Sequence, residues 1–307
     1  MFGKQLVRDM ITRSAENETD RRIFLKSAGV GGMGLVGASA ITALSAGEAK
    51  AAGPSDGAIL NFALNLEYLE AEFYQQAAFG NSLGDKLTSG KGDRGGVTGG
   101  RQVKFSTPAV RKYAVEIAMD ELDHVKFLRA ALGGARVARP QINLKSSFTA
   151  AARAAGLIGD KQTFDPFANE NNFLLAAFIF EDVGVTAYKG AAPLVDNPAF
   201  LEAAAGLLAV EAYHAGIIRT ALYSKGLNDQ ARKISAARDS LDGRSDLDKG
   251  IGTKKSANLV PTDANGLAYS RTAGQVLNIV YLNPASVRKG GFFPGGVNGP
   301  INRSAGR

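Results

Sequence analysis

Residues 121–132 read ELDHVKFLRAAL and residues 211–222 read EAYHAGIIRTAL, so both follow the pattern E-x-x-H-x-x-x-x-R-x-A-L. His124 and His214 are the only histidines of the chain, and a glutamate stands three residues before each of them. Three residues turn an α-helix by about 300°, so each glutamate and its histidine lie on one face, a turn apart. A carboxylate and an imidazole at this spacing can bind the same metal ion.

Two other predicted helices each carry a glutamate followed seven residues later by a tyrosine, Glu67 with Tyr74 and Glu181 with Tyr188. Seven residues make almost two turns, so both members of a pair lie on one face. The glutamates lie among apolar residues, where acidic side chains are rarely found. The sequence therefore predicts two copies of a helical pair, folded antiparallel about a pseudo-twofold axis. Four carboxylates and two imidazoles would then meet at the centre of one bundle.

Acidic side chains at the centre of an apolar bundle predict bound cations. An ionised carboxylate buried there costs on the order of several kcal/mol, and four together repel one another. Two divalent cations would neutralise four carboxylates and leave both histidines uncharged. Oxygen ligands with two imidazoles suit iron, manganese or zinc, and an oxygen-rich set favours redox-capable iron or manganese. We therefore predict two divalent metal ions, iron or manganese, with the ligands Glu67, Glu121, His124, Glu181, Glu211 and His214.

Two of the assignments around the metal ions have alternatives. Glu70 lies only about 60° from Glu67 on its helix and could replace it as the ligand. Tyr74 and Tyr188 are either core aromatic residues or functional groups around the ions. In the second case they would bond a ligating carboxylate or lie close enough to supply an electron.

The residues of the repeated pattern also allow other interpretations. Its glutamates could lie on the surface and pair with Lys126 or other neighbours, and its histidines could be core residues bonded to backbone or carboxylate. Arg129 and Arg219 each follow a histidine by five residues, more than one helical turn. They are predicted to be salt-bridge partners at the end of the bundle. No catalytic residue is predicted beyond the metal ligands.

The spacing of apolar residues predicts an all-α fold. Four long helices are predicted at residues 56–79, 107–132, 169–189 and 198–223. A long crossover with a short helix near residues 148–157 is predicted between the second and third. Residues 80–105 are predicted to be a flexible hairpin loop. Their G-x-G-x-x-G match at residues 90–95 has no strand before it and no helix after it, so we expect no dinucleotide site there.

The C-terminal third is predicted to extend the bundle. A short helix is predicted at residues 230–241 and a fifth helix at residues 266–282. The apolar turn GGFFPGG, residues 290–296, is predicted to cover the bundle rather than to bind a ligand.

The N-terminal residues resemble an export signal. Residues 20–26 read DRRIFLK, which is similar to the twin-arginine motif, and the apolar stretch that follows is short and glycine-rich for a membrane span. Residues 49–51, AKA, offer a cleavage site. We expect residues 1–51 to be a signal peptide read by the twin-arginine machinery, and residues 52–307 to be periplasmic or secreted without stable membrane insertion. An uncleaved membrane anchor is the alternative.

Composition excludes several function classes. The chain has no cysteine, which excludes disulfides, thiolate ligands and a cysteine nucleophile. The formal net charge is +7, and no cluster of lysine and arginine with interleaved aromatic residues is present in the sequence. We therefore expect no nucleic-acid partner.

The set of candidate ligands resembles that of the ferritin-like di-iron or di-manganese carboxylate proteins, which take one glutamate from each of two helices and Glu-x-x-His from the other two. Residues 61–74, 276–281 and 290–299 are similar to exported ferritin-like proteins related to plant desiccation-related proteins. The resemblance implies a four-helix bundle with a long crossover and a C-terminal extension that includes a fifth helix. It also implies terminal ligands at Glu67 and Glu181, bridging ligands at Glu121 and Glu211, and one histidine for each ion.

Two functions are consistent with such a centre. The first is an exported di-iron or di-manganese enzyme that reacts with dioxygen or peroxide. The second is a non-catalytic protein, stabilised by its metal ions, that protects against stress or desiccation. The long first loop, the C-terminal extension and the export signal differ from ferritin itself, which argues against cage assembly and iron storage.

Overall fold

A computed structural model describes residues 53–306, so the predicted signal peptide lies outside the described residues. Within them the chain is mainly helical, and the prediction of an all-α fold is confirmed. The α-helices are α1 (Asp56–Phe79), α2 (Asp85–Thr88), α3 (Pro108–Leu132), α4 (Ser146–Ala154), α5 (Glu170–Ala191), α6 (Pro198–Ser224), α7 (Asn228–Asp239) and α8 (Ala273–Val280). The strands have two residues each: β1 (Val97–Thr98), β2 (Ile142–Asn143), β3 (Gly252–Thr253) and β4 (Ser256–Ala257).

The four long helices α1, α3, α5 and α6 form the bundle, with bounds within two residues of those predicted. Gln75 of α1 bonds the carbonyl of Ala118 on α3, whereas Glu67, earlier on α1, contacts His124, later on α3. The two helices are therefore antiparallel.

Local sequence explains where the bundle helices begin and end. Asn169 and Asn197 cap α5 and α6, because their side chains accept backbone hydrogen bonds at 3.0 and 2.9 Å. Gly80 ends α1 with φ +72°, a conformation that favours glycine. By length and composition α6 could cross a membrane. It nevertheless places Glu211 and His214 in the interior of the bundle.

The glycine-rich residues 80–105 are hydrogen-bonded to the crossover rather than forming a free hairpin loop, which corrects the prediction. They contain α2 and β1, and β1 pairs in parallel with β2 of the crossover. A Cβ atom on Gly95 would lie 2.2 Å from the backbone nitrogen of Gln141, so only glycine allows this approach. The G-x-G-x-x-G residues lie in this loop, without a preceding strand or a following helix, as expected.

The fifth helix is shorter than predicted. Residues 266–282 were expected to be helical, but α8 begins only at Ala273, because Thr272 and Gln275 form a capping box there. Leu282, with φ +53°, lies just beyond its end. Phe292 of the predicted apolar turn is fully buried, with its ring centroid 4.9 Å from those of Phe148 and Phe180. This turn therefore packs onto α4 and α5.

A buried network of ion pairs joins the C-terminal residues to the bundle. Arg238 contacts Asp182 of α5 at 2.8 Å and Asp248 at 2.6 Å, and Arg271 contacts Asp248 at 2.9 Å. Arg219 contacts the same Asp182 at 2.7 Å. The prediction of a salt bridge is thus confirmed for Arg219.

The prediction of a salt bridge is wrong for Arg129, which is nevertheless buried. It donates to the hydroxyl of Tyr68 and to the carbonyls of Ser89 and Lys86. The two residues correspond in the repeated pattern, but the residue that Arg219 meets is Asp182, whereas Arg129 meets Tyr68. Their different partners follow from the residue after Glu67 and Glu181, which is Tyr68 in one case and Asp182 in the other.

Candidate metal centre

The structure brings the six predicted ligands together at the centre of the bundle. Every one is buried, and the least buried, His124, is 6% exposed. The surface interpretation of Glu121 and Glu211 is therefore wrong, and Lys126 pairs with Asp123 instead, at 2.8 Å. Their helices are α1 for Glu67, α3 for Glu121 and His124, α5 for Glu181, and α6 for Glu211 and His214.

The six side chains form two groups that share one residue. In the first, Glu67, Glu121, His124 and Glu211 offer ligand atoms that all lie within 4.8 Å of one another. In the second, Glu121, Glu181 and His214 do the same. We call these the four-donor position and the three-donor position. Glu121 thus belongs to both positions, whereas Glu211, for which the resemblance implied a bridging role, belongs to the four-donor position alone.

Distances support a shared role for Glu121. Its Oε1 lies 3.0 Å from Nδ1 of His214, and its Oε2 lies 3.4 Å from Nδ1 of His124. The first approach lacks the alignment of a hydrogen bond, because Nδ1 of His214 has no partner. Once Nδ1 has lost its proton, this nitrogen and the carboxylate oxygen both present lone pairs, as two ligands of one cation do.

Unpaired polar atoms show that the residues present fit a metal ion. Both oxygens of Glu121 and of Glu211, and Oε2 of Glu181, are buried without a hydrogen-bond partner. Buried acceptors are normally satisfied, and leaving one unpaired costs about 1–3 kcal/mol, or more when it is charged. Carboxylate oxygens and imidazole nitrogens are the donors that iron and manganese accept. The cluster could therefore hold metal ions.

The two tyrosines hold carboxylates of the centre, each from the opposite half of the bundle. The hydroxyl of Tyr74 on α1 donates to Oε1 of Glu181 on α5, and the hydroxyl of Tyr188 on α5 donates to Oε1 of Glu67 on α1. The spacing of seven residues predicted only that each tyrosine lies on the face of its own glutamate. In the folded bundle these reciprocal bonds fix both carboxylates, leaving their second oxygens directed at the histidines.

Asp120 is a residue of the centre that sequence reasoning missed. Its Oδ2 lies 3.0 Å from Nε2 of His214. The carboxylate therefore accepts the ring proton at Nε2, so that Nδ1 faces the centre and is the nitrogen available to a cation. Because adjacent helical residues point about 100° apart, the periodicity that identified Glu121 carries no signal for Asp120. The side chain is 44% exposed and looks from sequence like an ordinary surface residue.

Glu70 lies beside the centre but belongs to neither group of donors. It is 5% exposed, and its Oε1 lies 3.4 Å from the place where a Cβ atom on Gly184 would be. Oε2 of Glu211 lies only 2.2 Å from that place. The missing side chain at Gly184 therefore leaves the room that the Glu211 carboxylate occupies.

Gly184→Ala is expected to reduce bound metal by about ten-fold or more at equal free metal, because the new methyl group displaces the Glu211 carboxylate. Alanine favours a helix over glycine by about 1 kcal/mol, which offsets part of the cost of moving the carboxylate, so the melting temperature of the metal-free protein should change by only a few degrees. Gly206→Ala, also in a helix but with nothing within 4 Å of the added atom, is the matched control. Elemental analysis after dialysis measures the effect. Unchanged metal content would show that Glu211 needs no such room.

Burial shifts the acidic groups of the centre towards their protonated forms. It raises the pKa of Glu67 to about 7 and that of Glu181 to about 8, although nearby histidines oppose the shift. The pKa values of Glu70 and Glu211 lie well above the usual range, through burial and then through neighbouring carboxylates. For Glu121, the two histidines outweigh burial and hold the pKa below its usual range. In the absence of cations, protons therefore balance much of the charge.

The pKa values of the two histidines shift in the direction opposite to the one that burial alone would give. Burial lowers the pKa of His124, but Glu67 and Glu121 outweigh it and raise the value to about 11. For His214, Asp120 and Glu121 likewise outweigh burial and raise the pKa to about 10. Without a cation each ring is therefore protonated at both nitrogens, and a metal ion must displace the proton at Nδ1 to bind.

Comparison with known proteins agrees with this geometry. A desiccation-related protein, PCC13-62, of Craterostigma plantagineum is 34% identical, over 73% of this chain and 76% of its own. A ferritin-like catalase, Nec2, of Nesocodon mauritianus is 28% identical, over 80% of this chain and 84% of its own. No solved structure matches. Residues 55–224, which span all four bundle helices, match the ferritin-like domain model, so the chain belongs to the ferritin-like domain family.

Proposed function

We propose that this protein is an oxidoreductase with two divalent metal ions, iron or manganese, that takes dioxygen or a peroxide as substrate. The observation that carries the proposal is the set of buried oxygen and nitrogen atoms without partners, which α3, α5 and α6 contribute to the centre. Similarity to a ferritin-like catalase supports peroxide as the substrate. When bound, the metal ions would supply redox chemistry between the +2 and +3 states.

The protein's own residues would hold this chemistry in place. Glu67, Glu181 and the shared Glu121 would bind the ions, while Tyr74 and Tyr188 fix two of these carboxylates through their hydroxyl groups. Bulk water is kept from the donors, since none of the six ligand residues is more than 6% exposed. A dry, pre-organised site strengthens the electrostatic interactions that a small oxidant would meet.

Elemental analysis of protein purified in its native form is the first test. Iron or manganese approaching two ions per chain supports the centre, and a metal-free protein that takes up neither metal on dialysis contradicts it. The second test is consumption of hydrogen peroxide by the loaded protein. Oxygen evolution is the measured signal, and protein stripped by a chelator is the control.

A non-catalytic protective role is the second candidate, and the similarity to a desiccation-related protein favours it. In that role the ions would mainly hold the four helices together. A loaded protein that neither consumes peroxide nor reduces dioxygen, yet melts far above its stripped form, would support this role over the enzyme.

We further propose that the protein acts outside the cytoplasm after twin-arginine export. The motif at residues 20–26 supports this proposal, and a folded, metal-loaded bundle would suit that route. N-terminal sequencing of the exported protein tests it, with a start near residue 52 as the expected result and an intact residue 1 as the contrary one.

The stabilisation by metal is expected to grow as the pH rises from 5 to 8. Folding raises the pKa values of Glu67 and Glu181, so their protonated forms stabilise the metal-free protein. This contribution is complete below pH 4.5 and is lost as the pH rises through about 7–8. Metal ions bind the ionised forms, and each adds about 2.7 kcal/mol at 100 times its Kd. Two ions would thus raise the melting temperature by about 10–20 °C at pH 8.

Thermal melts of loaded and stripped protein, repeated at several pH values, measure this difference. At pH 5 protonation of the carboxyl groups stabilises the stripped protein, and metal ions compete poorly with these protons. The difference in melting temperature should therefore be only a few degrees. An equal difference at pH 5 and pH 8 would show that the carboxylates are not the ligands.

A further inference from the structure

The two halves of the centre differ at residues that flank the donors. Three residues after Glu67 comes Glu70, but three residues after the corresponding Glu181 comes Gly184. Directly before Glu121 comes Asp120, but directly before the corresponding Glu211 comes Val210. Each difference adds a carboxyl group to one half of the centre and leaves the other half without it.

The first difference lies beside the four-donor position. The carboxyl group of Glu70 and that of Glu211 approach the same gap at Gly184, as their distances of 3.4 and 2.2 Å from its missing Cβ atom show. The four-donor position thus has three ionisable carboxyl groups among its donors and a fourth next to them. A cation gains more from this concentration of negative charge than from the smaller set across the centre.

The second difference lies at the three-donor position. There Asp120 accepts a hydrogen bond from the single histidine, His214. The residue of the other half that corresponds to Asp120 is Val210, which is apolar and offers no such acceptor. A carboxylate behind a ligating imidazole makes the ring a better donor and fixes its orientation. The three-donor position is therefore built around one well-oriented histidine and two carboxylates.

The number of donors separates the two positions in function. In zinc proteins, four protein ligands go with a structural role, whereas three protein ligands and an open position go with catalysis. By the same reasoning, a cation at the three-donor position would keep more coordination positions open for a small ligand. We propose that the four-donor position binds the first cation and binds it more tightly, and that the three-donor position fills second and receives the small oxidant. This inference rests on the proposed dinuclear centre and assigns a substrate side to it.

Titration of the stripped protein with manganese(II), followed by electron paramagnetic resonance and calorimetry, tests the order of filling. At one equivalent we expect the six-line spectrum of an isolated ion, and at two equivalents the broadened spectrum of a coupled pair. The two dissociation constants should differ by about ten-fold or more. A coupled spectrum at the first equivalent, or two equal constants, would overturn the inference while leaving the dinuclear centre intact. Absence of any binding would remove both.

Two near-isosteric variants test which residues cause the difference. Glu70→Gln should weaken the first binding step by about ten-fold and leave the second unchanged. Asp120→Asn should weaken the second step by about 10–100-fold and leave the first unchanged, as expected for a carboxylate behind a ligating histidine. Asp123→Asn, on the same helix as Asp120 but paired with Lys126 at the surface, is the matched control for both. The reverse pattern, or equal effects on both steps, would contradict the assignment.

Discussion

Glu121→Gln is expected to weaken the binding of both metal ions by at least about 100-fold, so that a dialysed sample retains less than a tenth of the wild-type metal. Among residues 53–306, Glu121 alone belongs to both groups of donors. Its two oxygens lie 3.0 and 3.4 Å from the two histidines. Glutamine keeps the shape of the side chain but removes the charge and replaces one donor oxygen with an amide nitrogen. Even indirect partners of a ligand change affinity by about 10–100-fold, so loss of a shared ligand should cost more.

Two control variants make this result specific. Glu116→Gln, on the exposed face of the same helix, should leave the metal content unchanged. Glu181→Gln should remove only the ion at the three-donor position and leave one ion per chain. The stripped forms should keep the helical fold, because glutamine fills nearly the same volume as glutamate. If Glu121→Gln retains one tightly bound ion, Glu121 is not shared between the two positions.

Helical periodicity predicted the ligand set, because the pattern fixes which residues share a face. Glu121 and His124 are three residues apart, and that spacing alone places both on the inner side of α3. The ligand roles themselves stay predictions until metal is measured. The bounds of the bundle helices could also be predicted, since proline, asparagine and glycine mark their ends.

What sequence could not supply depends on contacts between helices. The hydroxyl of Tyr74 meets Glu181 across the bundle, and no spacing within one helix encodes that bond. Glu67 and Glu70 are only about 60° apart, so both become buried and only the packing of α5 separates their roles. The predicted fifth helix was too long at its start. Apolar residues such as Leu267 already occur before Thr272, but the capping box at Thr272 starts the helix only at Ala273.

Arg219→Met is expected to lower the free energy of unfolding by about 3–5 kcal/mol, the usual cost of breaking a buried ion pair. Arg219 is fully buried, and its guanidinium donates to Asp182 at 2.7 Å. It also donates to the carbonyls of Lys249, Gly250 and Asn258, which ties the segment before α8 to the bundle. Methionine fills similar volume but leaves these acceptors unpaired, so the melting temperature should fall by about 6–20 °C.

Arg129→Met is the comparison that isolates the charge of the partner. Arg129 stands at the corresponding place in the repeated pattern and is also buried, but it donates to the hydroxyl of Tyr68 and to backbone carbonyls. Its loss leaves neutral groups unpaired, at about 1–3 kcal/mol. Arg232→Met, in an exposed pair with Asp229, should cost less than about 0.5 kcal/mol. Equal losses for Arg219→Met and Arg129→Met would show that carbonyl bonds, rather than the ion pair with Asp182, hold the C-terminal segment to the bundle.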